Sequence, residues 1–255
     1  MNHHHFSVVI AAIASLVVVA TSAVPADALP LGRQTMDCPG VRPGAHVRTS
    51  EGTGGTLNFL FRGSDGHHYI GTAGHLLADE ETHVWGRHGP TARIDDGTII
   101  GRAAFAWNYN GEDADFAVIR LAKGVDFGAA VCHWGGPTGI NNDISMNPTV
   151  LRLYGNGMGV SEVAPQRTLV APTLSSESQV GALGLAVPGD SGSPVISQDG
   201  RALGLQFLVG VLLGNQADGF TPGNVAIYRL GPQIEAAEDA LGVRLKLLKA
   251  PLADS

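Results

Sequence analysis

Between residues 46 and 230 the apolar residues come in short runs, each soon broken by Gly, Asp, Asn or Pro. That pattern permits short strands and tight turns and leaves little room for long helices. Residues 56–61, TLNFLF, place Leu57, Phe59 and Phe61 on one face at period two. Ser64-Asp65-Gly66 is a turn signal, and HHYIGTA follows as the returning strand. Further strands are predicted over 98–107, 115–121, 150–155, 167–172 and 224–230, with a hairpin over 194–208. Residues 232–241 alone read as a helix: Ile234, Ala237 and Leu241 share a face, Pro232 suits the first turn, and Gly242 can take the left-handed cap. The fold class is all-β with a C-terminal helix. Composition agrees. Glycine contributes 35 of the 255 residues, which disfavours helical bundles, and 44% hydrophobic with only 15% charged residues excludes a disordered chain. A net charge of −7 with no basic stretch argues against a nucleic-acid partner.

The N-terminus carries an apolar run over 6–24, followed by Pro25 and the small-x-small triplet Ala26-Asp27-Ala28. This predicts a signal peptide, residues 1–28, cleaved after Ala28, and a secreted protein without stable membrane association. No Lys or Arg precedes Arg33, and an uncleaved anchor is the alternative, since 19 mostly apolar residues could nearly span a bilayer. Residues 29–45 are then an N-terminal segment or short propeptide. The two cysteines, Cys38 and Cys132, both lie in the exported part. Export favours a disulfide between them, with two buried thiols as the alternative, and two cysteines alone make no zinc site.

Three short pieces could together form a hydrolytic machine: Thr72-Ala73-Gly74-His75, Asp115-Phe116-Ala117-Val118 and Gly189-Asp190-Ser191-Gly192-Ser193-Pro194. A serine hydroxyl is a poor nucleophile unless a base lies within hydrogen-bond reach and a third group fixes that base. Ser191 would be the nucleophile, His75 the general base and Asp115 the orienting carboxylate. Gly189 and Ser191 are spaced to aim two backbone N–H groups at the oxyanion that forms on attack.

These motifs, in the order His, Asp, Ser, resemble the chymotrypsin/trypsin family of serine peptidases, and compact bacterial secreted members of the streptogrisin type are the nearest in pattern. The resemblance implies two six-stranded antiparallel Greek-key barrels, over 46–132 and 149–230, joined by a crossing at 133–148. A C-terminal helix (231–242) and a tail (243–255) follow. It implies endopeptidase activity on a polypeptide without a cofactor, and a Cys38–Cys132 bridge between the N-terminal segment and the crossing. Pro222-Gly223 leading to Tyr228 resembles the strand beside the specificity pocket. No Ile-Val-Gly-Gly activation segment is present, so the carboxylate of Asp190 needs an internal cation, for which Arg152 is the candidate. Leu76 stands where the family often has a cysteine. The substrate-binding strand falls on Gln206, Phe207, Leu208 and Val209 and is bulkier than the usual Ser-x-Gly. The pocket floor falls on Leu185, which predicts apolar or small side chains before the scissile bond, because a basic one would be buried unpaired. His46, His67, His68, His83, His88 and His133, Glu80-Glu81 and the Asp95-Asp96-Gly97 turn read as surface positions rather than metal ligands. A silenced binding protein on the same fold and a serine esterase remain the alternatives. The oligomeric state is open.

Overall fold

The computed structural model describes residues 40–50, 53–78, 81–109, 114–143, 149–157, 164–171, 176–209 and 223–253. The 1–28 segment, residues 29–39 with Cys38, and Pro222 lie outside them.

The first half contains β1 (His46–Thr49), β2 (Gly54–Thr56), β3 (Leu60–Gly63), β4 (His68–Thr72), β5 (Thr82–Val84), β6 (Thr91–Arg93), β7 (Ile99–Tyr109) and β8 (Ala114–Leu121). The second contains β9 (Thr149–Tyr154), β10 (Gln166–Ala171), β11 (Gln179–Gly184), β12 (Pro194–Ser197), β13 (Ala202–Val209) and β14 (Gly223–Arg229). Helix α1 (Leu230–Leu241) and β15 (Leu245–Leu247) complete the chain. The six strands of the second half close into an antiparallel barrel in the order β10-β11-β14-β13-β12-β9. The first half is a half-barrel sheet of nine strands in the order β15-β3-β4-β8-β7-β6-β1-β2, with β5 pairing β7. The expected six strands are thus exceeded, because β5, β6 and β15 are three-residue pieces too short to show a period in the sequence.

Two further expectations are corrected. The tail at 243–255 is partly a strand: Leu245, Lys246 and Leu247 pair with Gly63, Arg62 and Phe61 of β3. The run 56–61 is not one strand with one buried face. It bends between β2 and β3, and Leu57, Asn58, Phe59, Leu60 and Phe61 are all fully buried. Asn58 causes the bend. Its N–H donates to the Gly71 carbonyl (2.7 Å), and its Oδ1 accepts the Phe59 N–H (2.7 Å). Any Cβ on Gly71 would lie 1.9 Å from that oxygen.

Two cores follow from the alternation of the strands. In the first half Phe59, Phe61, Phe105, Phe116 and Ile119 are fully buried, and Phe61 meets Phe116 edge to face at 6.5 Å. In the second, Leu151, Leu153, Leu169, Val195, Leu203 and Ile227 fill the barrel. Each such side chain contributes roughly 1.5–3 kcal/mol. Helix α1 starts two residues earlier than its periodicity predicts. It ends at Gly242 as expected, at φ +63°. Ile234 and Ala237 are buried beneath it. Among the described residues no helix is long and apolar enough to cross a membrane.

Candidate active site

The end of β4 runs into a single 3₁₀ turn, Gly74–Leu76, which presents His75. Asp115, second residue of β8, lies below it with a side chain only 5% exposed, against 37% for His75. Its Oδ1 accepts the His75 backbone N–H at 2.7 Å and its Oδ2 stands 2.8 Å from His75 Nδ1. A carboxylate accepts only, so Nδ1 carries the proton and Nε2 is left able to act as a base. Burial lowers the imidazole's affinity for a proton, but the hydrogen bond and the charge of Asp115 outweigh it. His75 therefore titrates above its ordinary value.

The loop that carries Ser191 spans Val187 to Ser193. The Asp190 N–H donates to Val187 O (3.0 Å) and the Ser193 N–H to Asp190 O (2.8 Å). Gly189 and Gly192 have φ of +99° and +87°. Among the described residues, neither the Gly189 nor the Ser191 N–H makes a hydrogen bond, so both remain available to an incoming oxygen. The loop docks on the first half. The Thr56 N–H donates to Ser191 O at 2.8 Å. Gly192 lies so close that a Cβ would stand 2.3 Å from Thr56 O and 2.8 Å from the Ala73 N. Ser191 is thereby brought beside the His75 turn, although no hydrogen bond joins its hydroxyl to the imidazole.

Asp190 is completely buried and has a cation, but not Arg152. Arg167 on β10 reaches both carboxylate oxygens, Nη1 to Oδ2 and Nη2 to Oδ1, at 2.6 Å each. The N–H groups of Gly157 and Val187 add two bonds of 2.8 Å. Strand parity decides between the arginines. Arg152 lies between Leu151 and Leu153, which point into the barrel, so its own side chain points outward and covers the Trp134 ring at 5.0 Å. Arg167 shares the inward parity of Leu169 and Ala171. That parity was readable in RTLVA and is the signal that finds it. Thr56 and Asn156, which also hold the loop, carry no such signal.

Of the residues expected to meet substrate, Leu185 is 44% exposed, and its carbonyl accepts from Arg167 Nη1 at 3.2 Å. Gln206 is buried, and its main chain is fastened to the Ser191 loop through Gly192 N–H and Ser193 O. Phe207, Leu208 and Val209 continue β13, which shifts register against β14 between Gln206 and Leu208. Tyr228 lies on β14 opposite Gln179 and Leu205. Leu76 fills the space beside Gly55. Cys132 is buried, its N–H bonded to Pro43 O at 3.1 Å. His46 pairs with Asp95 at 2.5 Å and His67 with Arg120. His68 packs on Phe127, His83 on Trp85 and His133 on Tyr154.

Known proteins share this architecture. The Trypsin family model matches residues 64–229, well over half the chain. A glutamic-acid-specific serine protease that uses a histidine triad in substrate binding superposes with a TM-score of 0.54 at 16% identity, over 80% of this chain and 98% of its own. Thermobifida fusca protease A gives 0.54 at 15%, over 82% and 99%. The Nocardiopsis protease gives 0.52 at 16%, over 81% and 98%. No curated protein sequence matches the chain. With the family model spanning the His75 turn, Asp115 and the Ser191 loop, the chain belongs to the trypsin family and is a serine-type endopeptidase.

Proposed function

We propose that the protein is a secreted endopeptidase in which Ser191, His75 and Asp115 form the catalytic triad. The observation that carries this reading is the His75–Asp115 pair, which leaves Nε2 as a base beside the docked Ser191 loop. His75 Nε2 takes the hydroxyl proton as Ser191 Oγ attacks the peptide carbonyl. The N–H groups of Gly189 and Ser191 receive the oxyanion, and the imidazolium formed is stabilised by Asp115. The imidazolium then protonates the leaving amine, and a water molecule deprotonated by Nε2 hydrolyses the acyl-enzyme. The hydrogen bond between base and nucleophile, absent here, is one that commonly tightens only when substrate binds.

Leu185, exposed and uncharged, supports a preference for apolar or small side chains before the scissile bond. Gln206, Phe207 and Leu208 are the strand along which the substrate would pair. The apolar segment at 6–24 and the Ala26-Asp27-Ala28 site support export. A Cys38–Cys132 disulfide fits both that compartment and the absence of a free thiol among the described cysteines.

The test is reaction of the secreted protein with a fluorophosphonate, followed by peptide mass spectrometry. Labelling at Ser191 that disappears in His75→Ala is expected. A folded protein that is not labelled, even after removal of residues 29–45, overturns the reading. A peptide-library digest that cuts mainly after Arg or Lys contradicts the pocket assignment.

A further inference from the structure

Thr56 is completely buried at the junction of the two halves, and every polar atom it has is engaged. Its N–H donates to Ser191 O at 2.8 Å, and its carbonyl accepts from Thr72 Oγ1 at 2.9 Å. Its hydroxyl donates to Gly189 O at 3.0 Å and accepts the Asn156 N–H at 3.0 Å. One residue of the first half thus grips two carbonyls of the nucleophile loop. Those carbonyls belong to the peptide planes 189–190 and 191–192. Between them lies the plane 190–191, which bears the Ser191 N–H, and just before them the plane 188–189, which bears the Gly189 N–H. Drawing both carbonyls towards β2 leaves the two N–H groups unengaged. A peptide flip that turned the Gly189 carbonyl away would break the bond to the Thr56 hydroxyl.

The backbone part of this grip needs no particular side chain. The bond to Gly189 does. We propose that the Thr56 hydroxyl is a positioning residue for the oxyanion donors: it holds the 189–190 plane and, through Asn156, ties that plane to the loop after β9. This loop also supplies the Gly157 N–H to Asp190. The inference rests on the oxyanion assignment made above. Its geometric half, the clamping of the loop, stands independently of catalysis.

The experiment compares wild type with Thr56→Val, which replaces the hydroxyl by a methyl of similar size, and Thr56→Ser, which keeps it. Hydrogen–deuterium exchange over residues 186–193 is measured in a Ser191→Ala background, where no turnover is needed. Steady-state kinetics on a chromogenic peptide are measured with Ser191 intact. Thr56→Val is expected to exchange at least about tenfold faster across the loop, and to lose roughly 10- to 100-fold in kcat with KM changed less than about threefold, as befits a displacement of catalytic donors rather than lost substrate contacts. Thr56→Ser is expected to restore both. If Thr56→Val does not fold, Thr56→Ala, which leaves room for water at the vacated position, takes its place. Unchanged exchange overturns the clamp. Faster exchange with unchanged kcat overturns the positioning role. A wild type without turnover whose Thr56→Val exchange is still accelerated overturns the catalytic reading and leaves the clamp supported.

Discussion

Replacing Arg167 by methionine tests the way the Ser191 loop is supported. The guanidinium supplies two of the four hydrogen bonds to the Asp190 carboxylate, both at 2.6 Å, in a site where the two side chains are 6% and 0% exposed. Methionine matches the stem but leaves a buried carboxylate with only the Gly157 and Val187 N–H groups. Removing one partner of a buried pair costs roughly 3–5 kcal/mol, most of it the penalty for the charge left behind. For a chain of this size each kcal/mol lowers Tm by about 2–4 °C, so the variant should melt roughly 6–20 °C lower. Adding Asp190→Asn removes the stranded charge and should recover more than half of that loss. Denaturant unfolding in a Ser191→Ala background avoids self-digestion and reports the free energies directly. Arg152→Leu is the control. It loses a half-buried cation–π contact with Trp134 worth about 1 kcal/mol. A loss below about 1 kcal/mol in Arg167→Met, or an equal loss in Arg152→Leu, would refute the assignment.

Other outcomes follow from the same geometry. Because His75 titrates above its ordinary value, kcat/KM should rise with pH through that raised value. Asp115→Asn should move this limb to lower pH while reducing kcat by about 10⁴-fold, read from pH–rate profiles. A raised folded-state value also means that the His75–Asp115 pair stabilises the fold fully below the ordinary imidazole range, near pH 6.5, and progressively less as pH rises through the folded value. The Tm deficit of Asp115→Asn should therefore be larger at pH 5.5 than at pH 8.5. Gly192→Ala combines a φ of +87° with a Cβ 2.3 Å from a backbone oxygen and should cost more than the 1–2 kcal/mol of the left-handed conformation alone. Gly66→Ala, at φ +82° with open space around it, should stay within that figure in the same unfolding assay.

How much of this was legible depended on how local each signal is. His75, Asp115 and Ser191 sit in compact motifs whose chemistry is carried by neighbours one or two residues away. The barrel strands of the second half show themselves through period-two burial, as in Leu151 and Leu153. Arg167 was legible in principle, from its inward parity, but nothing in the sequence says that β9 and β10 lie beside Asp190. Thr56 depends wholly on tertiary placement: its partners Gly189 and Ser191 lie more than a hundred residues away. The bend at Asn58 was hidden because an alternating apolar pattern looks the same whether one face is buried or both sides are. The shortest strands, β2, β5, β6 and β15, owe their conformation to their partners rather than to any pattern of their own.

The pairing of β15 with β3 has a consequence for the order of events during synthesis. Residues 61–63 are made long before their partners 245–247. Beyond β15 the chain runs on along the crossing, with Gly136 N–H bonded to Pro251 O and Ala253 N–H to Trp134 O. The sheet that carries His75 and Asp115 therefore keeps an open edge until residues 245–247 have been made, and closing so long a loop is entropically slow. A nascent chain that stops short of residue 245 already contains His75, Asp115 and Ser191, yet not the strand that completes the sheet holding the first two. Synthesis of β15 thus acts as a timer: a strand made far downstream sets when the sheet of the amino-terminal half becomes whole.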